Sequence, residues 1–312
     1  MSNVAAGTVW NLPNYLGEIF TASHTETPLL AMLGGMGAGV QTDNFEFATA
    51  QTYDQEAAAQ PAITETASLT APTAISYVRA QAKNVCQIFM EQVSVSYERL
   101  SNQGRLSGIA TAGQQNPVMD ELDWQIAKAL EKIRRDIEYT ILNGAYQIAT
   151  SAAVANKTRG LVACATSNTT NASSATLTKA LMDGMLLEAW TNGAQFRNGL
   201  IICGGFQKQK LSDIYGYAPT DRNVGGVNIK QIETDFGNFG IMLHSMIPAG
   251  TLLMVDLAVV RPVVQPVPGK GNFFYEMLSK TGAGESGQIY GKFGLDHGPE
   301  FAHATITSLA TS

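Results

Sequence analysis

Apolar residues return every three or four positions along one uninterrupted segment, Asn116 to Gly144 (NPVMDELDWQIAKALEKIRRDIEYTILNG), the longest periodic stretch in the chain. Leu122, Ile126, Leu130, Ile133, Ile137 and Ile141, with Ala129 beside them, make one stripe, which predicts an α-helix over 117–144. Asn116 can cap its free N–H groups, Pro117 suits the first turn, and Asp120, Glu121 and Asp123 favour the positive end of the dipole. Asn143-Gly144 supplies a stop, because glycine enters the left-handed region easily. The helix is then a rod of roughly 40 Å. Its other face reads as a charged surface of Lys128, Lys132, Arg134, Arg135, Asp136 and Glu138, either solvated or covered by a neighbouring subunit.

Other segments are shorter. Trp10 to Phe20 and Pro28 to Leu33 predict two short helices in an N-terminal arm with too little material to fold alone. Asn44–Ala50 and Ile75–Tyr97 alternate as strands on either side of a long polar stretch, 51–74, and together predict an extended hairpin. Leu100 to Gln115 connects to the long helix. Beyond it, Leu177–Asn192 predicts a helix with Leu177, Leu181, Met185 and Trp190 on its apolar side. Phe206–Ile214 predicts another. Gly199–Cys203, Val227–Thr234, Ile241–His244 and Leu252–Val260 predict strands, so 161–261 reads as one α/β module. Arg261 to Pro268 predicts an edge run, its three prolines excluding a central strand, and 273–278, 288–293 and 301–309 predict further strands.

Only 15% of the 312 residues are charged, against about 25% in an average protein. A surface so poor in charge suggests that partners cover much of it. The net charge of −6 is uneven: no Lys or Arg precedes Arg79, while Glu18, Glu26, Asp43, Glu46, Asp54, Glu56 and Glu65 do. An acidic arm on a near-neutral body seeks a basic surface elsewhere and argues against dedicated nucleic-acid binding. Cys86, Cys164 and Cys203 lack any metal or disulfide spacing and read as reduced thiols. No signal peptide or membrane span is predicted.

Chemistry-bearing patterns are few. Gly282 to Gly287 is literally GxGxxG, but a strand-like run follows where a dinucleotide fingerprint needs a helix, so it reads as a turn. His297 and His303 flank Asp296 and Glu300 without a ligand spacing, and Pro299 interrupts them; they read as surface polar residues. His24 and His244 are isolated, and Asp256 ends a strand with no histidine nearby in sequence. The sequons at Asn168 and Asn171 carry no meaning without a secretory signal. We therefore expect no catalytic residue, cofactor or metal.

The order of parts (arm, long β-loop, long helix, compact α/β module, returning strands) resembles the major capsid protein of tailed bacteriophages, the Hong Kong ninety-seven-type fold. Local matches to a subfamily of phage major head proteins are Arg79–Val95 (RAQAKNVCQIFMEQVSV), Arg135-Asp136-Ile137-Glu138 with Leu142-Asn143-Gly144, Thr158-Arg159-Gly160-Leu161, and Phe239–Asp256 (FGIMLHSMIPAGTLLMVD). The resemblance implies an α+β chain with an arm (1–42), an extended loop (43–95), a peripheral domain (96–160) holding the spine helix 117–144, an axial domain (161–261) and returning, mainly peripheral strands (262–312). It implies hexamers and pentamers of an icosahedral head around double-stranded DNA held by loose contact. Partners would be a portal, decoration proteins, and a scaffold supplied as a separate chain, with no membrane; assembly would take place in the bacterial cytoplasm. Glu56 and Glu65 would pair with Lys132, Arg134 or Arg135 of an adjacent subunit. With no lysine before Lys83, the loop tip cannot cross-link, so the shell is expected to be non-covalent. The rivals are a nanocompartment shell of the same fold and an oligomeric α/β enzyme.

Overall fold

The structure, a computed structural model, describes residues 25–312 apart from 54, 56, 102–120, 217–229 and 281. Its helices are α1 (Pro28–Met32), α2 (Glu65–Ser68), α3 (Tyr97–Ser101), α4 (Glu121–Asn143), α5 (Leu161–Cys164), α6 (Lys179–Thr191) and α7 (Gly205–Tyr215). Its strands are β1 (Val40–Gln41), β2 (Glu46–Tyr53), β3 (Arg79–Val85), β4 (Gln87–Ser96), β5 (Thr169–Asn171), β6 (Gly199–Cys203), β7 (Gln231–Thr234), β8 (Gly237–Leu243), β9 (Leu252–Asp256), β10 (Arg261–Val264), β11 (Phe273–Met277), β12 (Gly284–Asp296) and β13 (Ala304–Thr307). The expected helix around Trp10 to Phe20, the Asn116–Pro117 cap, the 100–115 connection, His24 and Glu56 lie outside the described residues.

Two sheets share one core. In the first, β12 pairs with β4 along one edge and with β10 and β11 end to end along the other, while β1 extends β10. The second runs β5-β13-β9-β6-β8-β7. Its central strands β6 (GLIIC) and β9 (LLMVD) are buried at every position because both faces are covered. Leu200, Ile202, Leu253 and Val255 face a core shared with α1, α4 and the first sheet. Ile201, Cys203, Leu252 and Met254 face α6 and α7. The stripe of α4 delivers Ile133, Ile137 and Ile141 to the first of these cores.

Several expectations need correction. Gly144 ends α4 without entering the left-handed region. It is needed because segment 158–160 crosses the helix end, where Gly160 N–H donates to the Gly144 carbonyl at 2.8 Å and an added Cβ at Gly144 would come within 2.6 Å of Thr140 O. In α6 the buried stripe is Met182, Met185, Leu186 and Ala189 at steps of three, one and three, so Trp190 stays 59% exposed beside Phe236. β10 is an inner strand: of the three prolines only Pro262 lies within it, and Gly39 lets the two-residue β1 approach Pro262 closely. The C-terminal strand β13 joins the sheet of the 161–261 module, between β5 and β9, rather than the sheet beside α4.

The glycine pattern resolves differently again. Gly284 and Gly287 already belong to β12 and form no turn. An added Cβ at Gly287, Gly291 or Gly294 would run into the rings of Tyr275, Phe273 and Phe47 respectively. Gly287 and Gly291 seat rings on the core face beside Ile289 and Phe293, while Gly294, out of phase with them, seats Phe47 on the opposite face at the hairpin root, which neither a nucleotide-loop nor a turn reading anticipates.

Candidate functional site

β2 and β3 form a separate two-stranded hairpin, in register from Glu46↔Val85 to Tyr53↔Arg79 with a bulge between Ala48 and Ala50. At its root Val85 is buried, and the Cys86 N–H donates to the Phe45 carbonyl at 2.7 Å. Beyond the bulge it leaves the body, and every described residue from 57 to 83 is exposed. Tyr53, Ile63, Leu69, Ile75, Tyr77 and Val78 are all more than half exposed there. An isolated two-stranded ribbon is marginal in water, and these side chains have no core of their own to cover them.

Of the expected contact residues, Glu65 opens α2 at the outer part of this hairpin, where Thr64 Oγ1 caps the Ala67 N–H at 3.2 Å. Lys132, Arg134 and Arg135 stand on α4. Lys132 is already engaged within its own chain by Glu91 of β4, a bond that holds its ammonium above the ordinary lysine value. Arg134 is exposed and has no ion pair among the described residues. Arg135 is half-buried, with a buried Nε that lacks a partner. Glu65 and these cations do not meet within one subunit.

Glu138, read from sequence as part of the charged face, is wholly buried. It follows Ile137 and precedes Ile141 and Leu142 by three and four positions, which places it at the edge of the apolar stripe; that spacing was the available signal. Its oxygens accept the Leu29 N–H (2.8 Å) and the Leu30 N–H (2.7 Å), free donors in the first turn of α1. His244 Nδ1 accepts the Met246 N–H at 3.1 Å, so the ring proton lies on Nε2, which donates to Glu138 Oε1 at 2.7 Å. Three donors on two oxygens is the pattern of an ionised carboxylate, and it ties arm, long helix and the β8–β9 turn together.

His297 and His303 are also interior, contrary to the surface reading. His303 is buried: Nε2 donates to the His297 carbonyl (2.6 Å) and Nδ1 accepts the Asp256 N–H (3.4 Å), so the sequence-distant Asp256 has a histidine beside it after all. His297 Nδ1 donates to the Gly298 carbonyl at 2.8 Å. Burial, then the neighbouring His303, pushes the His297 ring down to about 4. Asp256 accepts the N–H groups of Arg197 (3.1 Å), Asn198 (3.0 Å) and Ala258 (3.0 Å), Asp296 accepts that of Gly298 (3.0 Å), and Glu300 binds the Thr166 and Ser167 hydroxyls. All three carboxylates are spent on holding turns. Among the described residues no group of three or more His, Cys, Asp or Glu is placed to hold a metal ion, and no helix is long and apolar enough to cross a membrane.

The family model described as the SU10 major capsid protein matches residues 2–310. Among solved structures, the capsid of Cyanophage A-1(L) is 15% identical, covering 95% of this chain and 96% of its own, with a TM-score of 0.64. The capsid of a native GTA particle is 13% identical over 99% of both chains, with a TM-score of 0.60. An encapsulin complex from Synechococcus elongatus is 11% identical over 100% and 98%, with a TM-score of 0.57. Among curated proteins none matches the chain in sequence. The shared architecture is the Hong Kong ninety-seven-type fold, an α+β arrangement common to capsids and encapsulins.

Proposed function

Since the chain belongs to the SU10 major capsid protein family, we propose that it builds the icosahedral head of a tailed phage from hexamers and pentamers, its hairpin reaching across a neighbouring subunit. It is a structural protein of the virion that associates with copies of itself. In this reading 1–42 is the arm, 43–95 the extended loop, 96–160 the peripheral domain with the spine helix, 161–261 the axial domain, and 262–312 returns strands to both sheets. Assembly takes place in the host cytoplasm, a portal and any scaffolding or decoration proteins join as further partners, and DNA is enclosed by loose contact.

The observation that carries this reading is the hairpin with its uncovered apolar side chains. Fully covering one of them is worth roughly 1.5–3 kcal/mol, against ~0–1 kcal/mol for an exposed ion pair. Apolar contact therefore supplies the adhesion. Pairing of Glu56 and Glu65 with Arg134, Arg135 or, in exchange for Glu91, Lys132 sets the register.

Light scattering and electron microscopy on purified protein test it. Closed shells or capsomer rings are expected, together with folded monomers when 54–78 is replaced by a short turn. A wild-type chain that stays monomeric across salt and crowding screens refutes it. Arg134→Glu with Arg135→Glu should lower assembly yield and alter its salt dependence; no change removes the pairing. Native particles should dissociate to monomers in hot detergent, since the loop tip has no lysine. The nanocompartment alternative predicts a protein cargo, whereas the head predicts nucleic-acid absorbance.

A further inference from the structure

Asn84, at the root of the hairpin, is wholly buried, and its amide uses all four of its hydrogen-bonding positions. Nδ2 donates to the carbonyls of Leu295 (2.7 Å) and Arg159 (3.2 Å). Oδ1 accepts the N–H groups of Arg159 (2.8 Å) and Val85 (2.9 Å). One side chain thus joins β3, β12 and the segment after α4. Thr158, equally buried, adds a hydroxyl that accepts the Leu295 N–H at 3.2 Å. The 158–160 segment is seated on the end of α4: a Cβ at Gly160 would come within 2.8 Å of both the Leu142 and Thr140 carbonyl oxygens. Phe47, on the opposite strand, sits where Gly294 leaves room for its ring.

We propose that Asn84 is a positioning residue for assembly, its amide fixing the angle between the projecting hairpin and α4. The inference rests on the reading of the hairpin as the element that contacts the next subunit. Past the bulge every described residue of the ribbon from 57 to 83 is exposed, so its direction is set at the root. The seven residues of β3 span roughly 23 Å at about 3.3 Å each, so a root rotation of about 10° moves the far end by about 4 Å, nearly one strand spacing. A seat on a neighbour matched to side-chain positions would be missed. Thr158 and Gly160 carry the same constraint to the helix, which gives the Thr158-Arg159-Gly160-Leu161 run a physical role.

Asn84→Asp keeps the shape but replaces both donors with an acceptor facing two carbonyls. Thr158→Val is the milder variant, and Thr158→Ser, which keeps the hydroxyl, is the conservative rescue. Spin labels at Gln51→Cys and Tyr139→Cys, both exposed, report the hairpin angle directly, and the three native thiols are buried. Expected for Asn84→Asp and Thr158→Val is a folded subunit with a broadened inter-label distance distribution. Closed shells should fall by about tenfold or more, the factor one ordinary hydrogen bond carries, with recovery in Thr158→Ser. If Asn84→Asp does not fold, Thr158→Val and Thr158→Ser decide the matter. A folded variant with wild-type label distances and normal shells overturns the inference and leaves the shell reading intact. Wild-type protein that never associates overturns the shell reading itself, and this inference with it.

Discussion

Replacing Glu138 by glutamine removes a charge from the interior while preserving size, so its effect isolates the hydrogen-bonding pattern. The native carboxylate accepts Leu29 N–H, Leu30 N–H and His244 Nε2–H, all buried. An amide has one acceptor oxygen. In its best orientation the new NH2 group faces the Leu30 N–H, two donors opposed with no acceptor between them. One bond to a charged group, worth about 1.5–3 kcal/mol, is lost, and the stranded N–H adds about 1–3 kcal/mol for its lost solvation. The remaining bonds weaken from charged to neutral. A destabilisation of about 3–5 kcal/mol follows from these terms together. That is a large part of the total stability of a typical domain, about 5–15 kcal/mol. Urea denaturation of the isolated subunit, followed by the fluorescence of Trp124 on α4, measures it; hydrogen exchange at Leu29 and Leu30 locates it. Faster exchange at those two amides with a lowered midpoint is expected. A change under about 1 kcal/mol with unchanged exchange would refute the view that this carboxylate holds the arm to the helix.

Two glycines should respond with opposite signs. Gly291→Ala drives a methyl into the Phe273 ring and should destabilise by about 1–3 kcal/mol, whereas Gly184→Ala, in mid-helix with open space around it, should stabilise by about 0.5–1 kcal/mol; denaturant midpoints read both. The His297 ring takes up its proton near 4 in the fold and near 6.5 when unfolded, so the unfolded chain binds more protons between those values. Stability should therefore be full above pH 6.5 and fall by up to about 3 kcal/mol as pH drops to 4, and His297→Gln should flatten that part of the profile. Burial pushes the thiols of Cys86, Cys164 and Cys203 up to about 11, 12 and 11, so a thiol reagent at neutral pH should label all three only after unfolding.

What could be read from the chain by itself was whatever repeats locally. The stripe from Leu122 to Ile141 specified α4, the run Gly199–Cys203 announced a buried strand, and Leu252–Val260 a strand that in the fold ends at Asp256. The order of elements was enough to point to the shell-protein fold, because it depends only on succession along the chain. Pairing across distance was not legible. Glu138 looked like one more charge beside Asp136 until α1, more than a hundred residues away in sequence, brought two free N–H groups onto it. His297 and His303 looked like surface residues until β9 and the last turn closed over them. Gly287 looked like a turn glycine until β11 laid the Tyr275 ring on it, and nothing local marked Gly291 or Gly294 as seats for Phe273 and Phe47. Hydrophobic periodicity reports which face of an element is apolar. Which polar atom finds its partner, and where a ring needs an absent Cβ, depends on segments that only the tertiary fold brings together.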